Sequence, residues 1–300
     1  MGSLSRNDWF MYGALLLLGG AINLVCWLFP AELPAWMPWE FSWPVYLATT
    51  LSLLWFWRGW RVVAERPPLW RAVCFVVGVV SFYVVLQTHL DYYAQHMFFV
   101  HRWAHFVLHH AGAFLIGLSA AWPVLRAGMP RALYPLLDAR PVRVMMNVLQ
   151  HPAVAPILFV GLLYFWLLPA IHTRVMLDAD LYELMNWTMA INGVMFWSLV
   201  LDHRAKPPAR LSHLMRALMI LVIELPQMLL GALLSLSTTD WYPVYEICGR
   251  ILPMTALNDQ HYGGLIIWLP GTLTSFAAMI VVLVTMRLNE EKAEHAAATP

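Results

Sequence analysis

Apolar runs alternate with short polar connections along the 300-residue chain. A helix needs about 20 predominantly apolar residues to cross the hydrocarbon of a bilayer, and most of the runs are near that length. The pattern predicts eight transmembrane helices, over approximately residues 9–29, 43–60, 70–90, 100–123, 154–171, 184–201, 214–236 and 264–286. We therefore expect an all-α fold, a polytopic transmembrane helix bundle.

Composition agrees with a membrane setting and excludes an ordinary soluble domain. Hydrophobic residues make up 61% of the chain and charged residues only 12%, whereas soluble domains carry about 25% charged residues. A net charge of +1 provides no general attraction to nucleic acid. We expect one integral membrane domain over residues 1–300, in contact with the lipid bilayer, whose residues 288–300 form a solvated cytoplasmic tail.

Basic residues are concentrated in every second connection. The connections after the second, fourth and sixth predicted helices carry Arg58, Arg61, Arg66, Arg71, Arg126, Arg131, Arg140, Arg143, Arg204, Lys206, Arg210 and Arg216. The other connections carry the acids Glu32, Glu40, Asp91, Asp178, Asp180, Glu183, Asp240, Glu246 and Asp259. Because basic loops stay on the cytoplasmic side, we expect both termini in the cytoplasm and the acidic connections outside.

The fourth predicted helix begins with soft and imidazole side chains at intervals of four residues. On a continuous helix these residues share one slowly drifting face, which we call the ladder: Met97, His101, His105 and His109. The next residue, His110, points away from that face. Imidazole suits copper, zinc and iron, and a thioether favours Cu(I). The candidate metal ligands are the ladder residues together with His96, Asp259 and His261. The alternative is that the histidines only hydrogen-bond neighbouring helices.

Further polar residues fall near the predicted membrane and are candidates for relay or capture of a cation. Those on the outer side are His172, Met176, Asp178 and Asp180. Glu224 lies in the middle of an apolar run, where an ionised carboxylate is costly unless it is paired or protonated. A proton or metal relay is one interpretation of Glu224. The other is a buried pair with Asn186, Asn192 or a ladder histidine.

Several motifs resemble those of the CtaG-type membrane proteins, which are assembly factors for bacterial caa-type cytochrome c oxidases. The His-Met pair at residues 96–97 with His105 is similar to one of them, and His151-Pro152 with the Trp-Leu-Leu-Pro run at 166–169 is similar to a second. Residues 229–232, Leu-Leu-Gly-Ala, and 241–243, Trp-Tyr-Pro, resemble a third. The most specific match is residues 259–271, which resemble Asp-Gln-x-x-Gly-Gly-Leu-Ile-x-Trp-x-Pro-Gly.

The resemblance covers about residues 70–287 and implies a core of about seven helices. It implies an assembly factor in the bacterial inner membrane that handles or delivers copper, as Cu(I), for the outer-side centres of a respiratory oxidase. Its partners would be oxidase subunits or other assembly factors. The chain departs from the family pattern at Leu167, where relatives have histidine, and across residues 182–186, where Leu-His-x-Leu-Glu-His is expected.

Other classes of protein remain open from the residues alone. The spacing of His101, His105, His109 and His110 superficially resembles the boxes of membrane di-iron enzymes, but those boxes occur in several copies near the cytoplasmic side. A b-type cytochrome would need a haem-ligating histidine on a second helix, and no other predicted helix has one at mid-depth. A scaffold that binds no metal is the third alternative. No nucleophile motif or phosphate loop indicates an enzyme.

Overall fold

The computed structural model describes residues 6–298, and within that range it is all-helical, with no β-strand. A π-helical turn, Val107–Ala111, and a 3-10 turn, Arg131–Leu133, interrupt the α-helices. The α-helices are α1 (Arg6–Leu28), α2 (Trp43–Val62), α3 (Leu69–Gln87), α4 (His89–His96), α5 (Phe98–Phe106), α6 (Gly112–Ser119), α7 (Trp122–Gly128), α8 (Tyr134–Leu137), α9 (Arg140–Leu149), α10 (Val154–Leu167), α11 (Pro169–Met176), α12 (Ala179–Val200), α13 (His213–Leu236), α14 (Val244–Cys248) and α15 (Ala256–Ala298).

A helix occupies the position of each predicted transmembrane segment. Four helices in the described range are long and apolar enough to cross a membrane: Asp8–Leu28, Leu69–Gln87, His213–Leu236 and Ala256–Ala298. The number rises to six when each of two sharply bent helix pairs is counted as one span. The chain is thus a multi-pass membrane protein with four to six candidate spans, and the number eight stays a prediction.

The first bent pair covers the fourth predicted helix, and the second joins the fifth predicted helix to a helix in the connection before it. The direction changes by 73° between Phe98–Ser119 and Trp122–Gly128, and by 75° between Arg140–Leu149 and Val154–Leu167. At the first bend, Ala120 adopts a left-handed conformation with φ of 49°, which ends α6, and Pro123 lies in the first turn of α7. A proline is well tolerated there because that turn lacks intrahelical acceptors for its N–H groups.

Close packing between α13 and α15 forms the most extensive helix pair in the described part of the chain. Glycine permits this approach. A Cβ atom on Gly264 would lie 2.7 Å from the backbone nitrogen of Ser235 and 2.8 Å from the carbonyl oxygen of Gly231. Small residues allow helix backbones in membranes to approach closely. The Gly-Gly pair of the 259–271 motif therefore holds α15 against its neighbours.

Contacts join the connections that the charge pattern assigns to the same side. At one end of the bundle, Arg71 of α3 and Asn289 of α15 both contact His203, at 3.4 and 3.1 Å. At the other end, which we call the acidic end, Asp91 accepts hydrogen bonds from Trp39 and Tyr182. These contacts group the connections as the charge pattern does, and the orientation of the spans stays a prediction.

The C-terminal segment is more regular than a solvated tail needs to be. Helix α15 continues without a break through residue 298, although its last residues are exposed. The first five and last two residues of the predicted 1–300 domain lie outside the described range.

Candidate metal centre

The ladder is not a continuous helix, because the backbone leaves the helical conformation at Met97. Helix α4 ends at His96, Met97 is extended with φ of −137° and ψ of 122°, and α5 begins at Phe98. Met97 is fully buried as the N-cap of α5. The prediction that Met97 shares one helical face with His101 is therefore wrong.

A second irregularity lies lower in the ladder. Val107–Ala111 form a π-helical turn, a feature that is rare and occurs frequently at functional sites. The wider turn buries both His109 and His110, and both line one small cavity with His105. The prediction that His110 points away from the ladder assumed an uninterrupted α-helix, and the π turn makes it wrong.

Two ladder histidines are in direct contact inside the protein. The Nε2 atoms of His101 and His105 are 3.1 Å apart, and both residues are buried. The same nitrogen of His105 lies 3.1 Å from Oδ1 of Asn186 on α12. Lower down, Nε2 of His109 lies 3.2 Å from Oδ1 of Asn192. Helix α12 thus supplies one amide oxygen to each of two ladder histidines.

The opposite ring nitrogens have no partner. The Nδ1 atoms of the four histidines are buried without a hydrogen bond: His101, His105, His109 and His110. A neutral imidazole carries one donor and one acceptor, so an unpaired nitrogen on each ring leaves hydrogen-bonding capacity unused. Buried polar groups are nearly always satisfied by protein, water or a ligand. The cluster therefore has spare capacity to bind a metal ion or water.

Aromatic and sulfur side chains surround the pair. The ring of His172 lies 5.2 Å from that of His101, and its Nε2 atom lies 3.0 Å from the hydroxyl of Tyr245. The Nδ1 atom of His172 lies 3.0 Å from the carbonyl oxygen of Trp166. The Tyr245 hydroxyl lies 3.8 Å from the sulfur of Met176. The predicted capture residues His172 and Met176 thus belong to the surroundings of His101.

An acidic pocket of about 680 Å³ opens beside this cluster. Its lining residues include Glu40, Asp91, Met176, Asp178, Tyr182, Glu183 and Asn186. Two of these residues also contact the pair, since the Tyr182 ring lies 5.7 Å from the His101 ring and Asn186 bonds His105. Tyr182 and Asn186 therefore lie between a cation in the pocket and the histidine pair. Asp180 is exposed and is not part of this lining.

Burial raises the pKa of Asp91 in this pocket to about 6, although hydrogen bonds from Tyr182, Gln95 and Trp39 oppose the rise. Between about pH 4 and pH 6 the Asp91 carboxyl is therefore protonated in the folded protein but ionised in the unfolded chain. Stability should therefore fall as pH rises from about 4 to about 6, by about 3 kcal/mol, and then level off. Thermal unfolding of Asp91→Asn in detergent across this range should lack the decline. Asp180→Asn should retain it, and a wild-type protein without the decline would contradict the assignment.

Three other predicted ligands lie apart from the pair and have their own partners. Asp259 is buried and accepts hydrogen bonds from the backbone nitrogens of Phe98 and Phe99, at 3.0 and 2.8 Å, while Arg250 pairs with it at 3.2 Å. His261 Nε2 lies 2.7 Å from the Ser237 carbonyl oxygen. His96 Nδ1 lies 2.8 Å from the carbonyl oxygen of Tyr92. Asp259 thus caps α5 from a distant helix.

Glu224 has a different partner from those considered in the sequence. Its Oε1 atom accepts a hydrogen bond from Thr272 on α15, and its Oε2 atom is buried without a partner. Asn186 and Asn192 bond ladder histidines instead, so a pair of Glu224 with either amide is wrong. The nearby carbonyl oxygen of Pro226 accepts from the Tyr164 hydroxyl at 2.7 Å.

The described residues contain no group of three histidine, cysteine, aspartate or glutamate side chains that converges on one point as a metal site. Two imidazole nitrogens 3.1 Å apart can nevertheless both reach an ion at about 2.0 Å in a bent arrangement. Imidazole and thioether groups, the donor types present here, suit copper ions. The pair is therefore a candidate site with two protein ligands.

The fold and this site define a class: a helical membrane protein with a buried histidine pair below an acidic pocket. The model of one family, the cytochrome c oxidase caa3 assembly factors, matches residues 51–288 of the chain. The chain belongs to that family. Neither a curated protein nor a solved structure matches it. The match begins inside α2, earlier than the residue 70 expected from the motifs.

Some residues of the site carried no clear signal in the sequence. Tyr182 and Asn186 stand in the segment where the motif departs from its relatives, and the structure places both against the histidine pair. Tyr245 belongs to the short helix α14 in a long connection, where no periodic pattern predicts a helix. Arg102 follows a ladder histidine directly in sequence, where no pattern predicts that an arginine is buried, yet it is buried beside the ladder.

Proposed function

We propose that the protein receives a copper ion as Cu(I) at its acidic end and makes it available for the assembly of a caa3-type cytochrome c oxidase. The observation that carries the proposal is the contact of His101 with His105 directly below the acidic pocket. Membership of the assembly-factor family supplies the oxidase. The role is one of assembly, without catalysis by this chain.

The order of contacts suggests a path for the ion. Negative charge on Asp91 and Asp178 raises the concentration of cations in the pocket, where Met176 offers a soft sulfur. His101 and His105 then bind the ion between their Nε2 atoms. His109 receives it deeper in the bundle, where Asn192 orients the ring. Asp180, His172 and Glu224 remain candidates for capture or relay, the first at the exposed rim of the acidic end.

The proposed orientation places this path on the correct side of the membrane. We propose eight spans in one integral membrane domain, with both termini in the cytoplasm of a bacterial cell and the acidic end on the outer side of the inner membrane. The alternation of basic and acidic connections supports this orientation. Oxidase subunits or other assembly factors would collect copper at the outer side.

Removing the pair should abolish copper binding. The variant carrying both His101→Gln and His105→Gln should lose most of the copper bound by purified wild-type protein, about one ion per chain after loading with Cu(I) under reducing conditions. Mass spectrometry of the metal content in detergent-purified protein measures this. The matched control is the variant carrying both His96→Gln and His261→Gln, which changes two histidines of the acidic end that lie apart from the pair and should keep the copper.

The same variants separate copper handling from a scaffold role. In cells that lack the wild-type gene, the His101→Gln, His105→Gln protein should fail to restore oxidase activity, and the control should restore it. Unchanged copper content in the pair variant would contradict the proposal. Absence of copper from the loaded wild-type protein would also contradict it and would favour a scaffold without metal, which the absence of three converging ligands among the described residues supports.

A further inference from the structure

Arg102 is a buried cation without a counterion. The residue is 2% exposed, yet none of its three guanidinium nitrogens has a hydrogen-bond partner among the described residues. The guanidinium carbon lies 5.2 Å from the centre of the Phe98 ring, a cation–π contact that supplies no negative charge. Arginine stays charged in proteins, and a desolvated charge is costly unless it is paired. The structure therefore leaves a positive charge that requires an anionic partner.

The carboxylates closest to this region are paired with other groups. Asp259 accepts from two backbone nitrogens and pairs with Arg250, and no ion pair joins it to Arg102 in the described part of the chain. Asp91 is bonded by three side chains on the far side of Tyr182. The neighbouring hydroxyl groups belong to Tyr182, Tyr242 and Tyr245, which carry no charge that could balance the guanidinium.

A small cavity borders Arg102 and collects unsatisfied polar atoms. It holds about 20 Å³, enough for one ion or one to two water molecules. Beside Arg102 the polar lining consists of His105, His109, His110 and Gln227, and the remainder is apolar, with Leu163, Met189, Ile266 and Ile267. The Nδ1 atoms of His105, His109 and His110 have no partner. Because His105 and His109 donate their Nε2–H groups to asparagine oxygens, their neutral rings carry no proton on Nδ1, and His110 is the ring that can present an N–H group to an anion there.

We propose that this cavity binds one small monovalent anion of halide size, held by the guanidinium of Arg102 and by the Nδ1–H group of His110. The volume excludes a lipid phosphate. The apolar part of the lining favours a weakly hydrated ion such as chloride over a strongly hydrated one. The proposal goes beyond copper handling and does not depend on it, since the anion compensates a charge that belongs to the protein itself.

Gly263 of the 259–271 motif provides part of the space for this arrangement. A Cβ atom at that position would lie 2.3 Å from the Phe98 ring and 3.1 Å from Cγ of Arg102. The aromatic ring and the aliphatic part of the arginine therefore pack directly against the backbone of α15. This packing holds Arg102 beside the cavity that it lines.

Equilibrium dialysis with radioactive chloride tests the site in full-length, detergent-purified protein kept free of metal by a chelator. Wild-type protein should bind about one chloride per chain, with displacement by bromide but not by sulfate. Arg102→Met removes the charge with similar length and should weaken binding at least about 30-fold. The matched control is Arg174→Met, an exposed arginine of the acidic end, which should bind as the wild type does.

Two outcomes would overturn the proposal: absence of saturable chloride binding in the wild-type protein, or full binding in Arg102→Met. If Arg102→Met does not fold, His110→Phe provides a second variant, because it keeps a ring of similar shape and removes one N–H group from the cavity. It should weaken chloride binding, and unchanged binding in it would also count against the site. Chloride binding is measured without copper, so its failure leaves the copper content of the His101 and His105 variant unaffected.

Discussion

Asp259→Ala should prevent stable folding of the acidic end. The carboxylate is fully buried and satisfies two backbone N–H groups at the start of α5 as well as the guanidinium of Arg250. Its removal leaves the two backbone N–H groups and the Nε–H group of Arg250 without an acceptor, while Arg250 keeps its pair with Glu246. Breaking a buried ion pair by deleting one partner costs about 3–5 kcal/mol. A large drop in the temperature of unfolding in detergent, or loss of monodisperse protein on gel filtration, measures the effect.

The matched control is Asp180→Ala, which removes an exposed aspartate from the same end of the bundle. Its unfolding free energy should stay within about 0.5 kcal/mol of the wild type. Asp259→Asn is informative as well, since the amide oxygen can accept one of the backbone hydrogen bonds and should recover part of the stability. If Asp259→Ala proved as stable as Asp180→Ala, the carboxylate of Asp259 would not cap α5.

Gly59→Ala should disrupt the crossing of α2 and α7. A Cβ atom at Gly59 would lie 1.8 Å from the carbonyl oxygen of Val124, and one at Gly128 would lie 1.8 Å from that of Trp55. Both clashes involve backbone, so no side-chain rotation relieves them and the two helices must separate. Overpacking of this kind costs about 3 kcal/mol or more. Thermal unfolding of the purified variant measures the loss.

Gly161→Ala is the appropriate comparison, because a Cβ atom at Gly161 meets nothing within 4 Å. Alanine is the better helix former, so this change should be neutral or stabilising by up to about 1 kcal/mol. Equal stabilities of Gly59→Ala and Gly161→Ala would show that α2 and α7 do not cross as closely as the structure indicates.

The positions of the long helices were predictable because long apolar runs are a strong local signal. The breaks inside the fourth predicted helix were not, because neither Gly nor Pro marks Met97 or residues 107–111. The break at Met97 is stabilised by Asp259, which is distant in sequence and caps the new helix start. Because the stabilising residue is remote in sequence, the residues around Met97 show no pattern that predicts the break.

The candidate site was predictable only in part, for a similar reason. His101 and His105 follow from helical spacing alone, and the structure brings their rings together. Asn186 and Tyr182 depend on how α12 packs against α5, which spacing does not encode. Asp259 and His261 belong to the most family-specific motif, but the structure gives them capping and loop contacts rather than a place beside the pair.

The π-helical turn at Val107–Ala111 also sets the rotation of the residues after it relative to the residues before it. One additional residue in a turn rotates everything that follows by about 100° relative to a regular α-helix. Above the turn, His105 faces α12; below it, Gly112 fits against Phe82 of α3 and Gly117 against Trp197 of α12. Insertion or deletion of a single residue here would change which neighbouring helices contact the histidines and which pack against the glycines. The composition of the segment would stay almost unchanged.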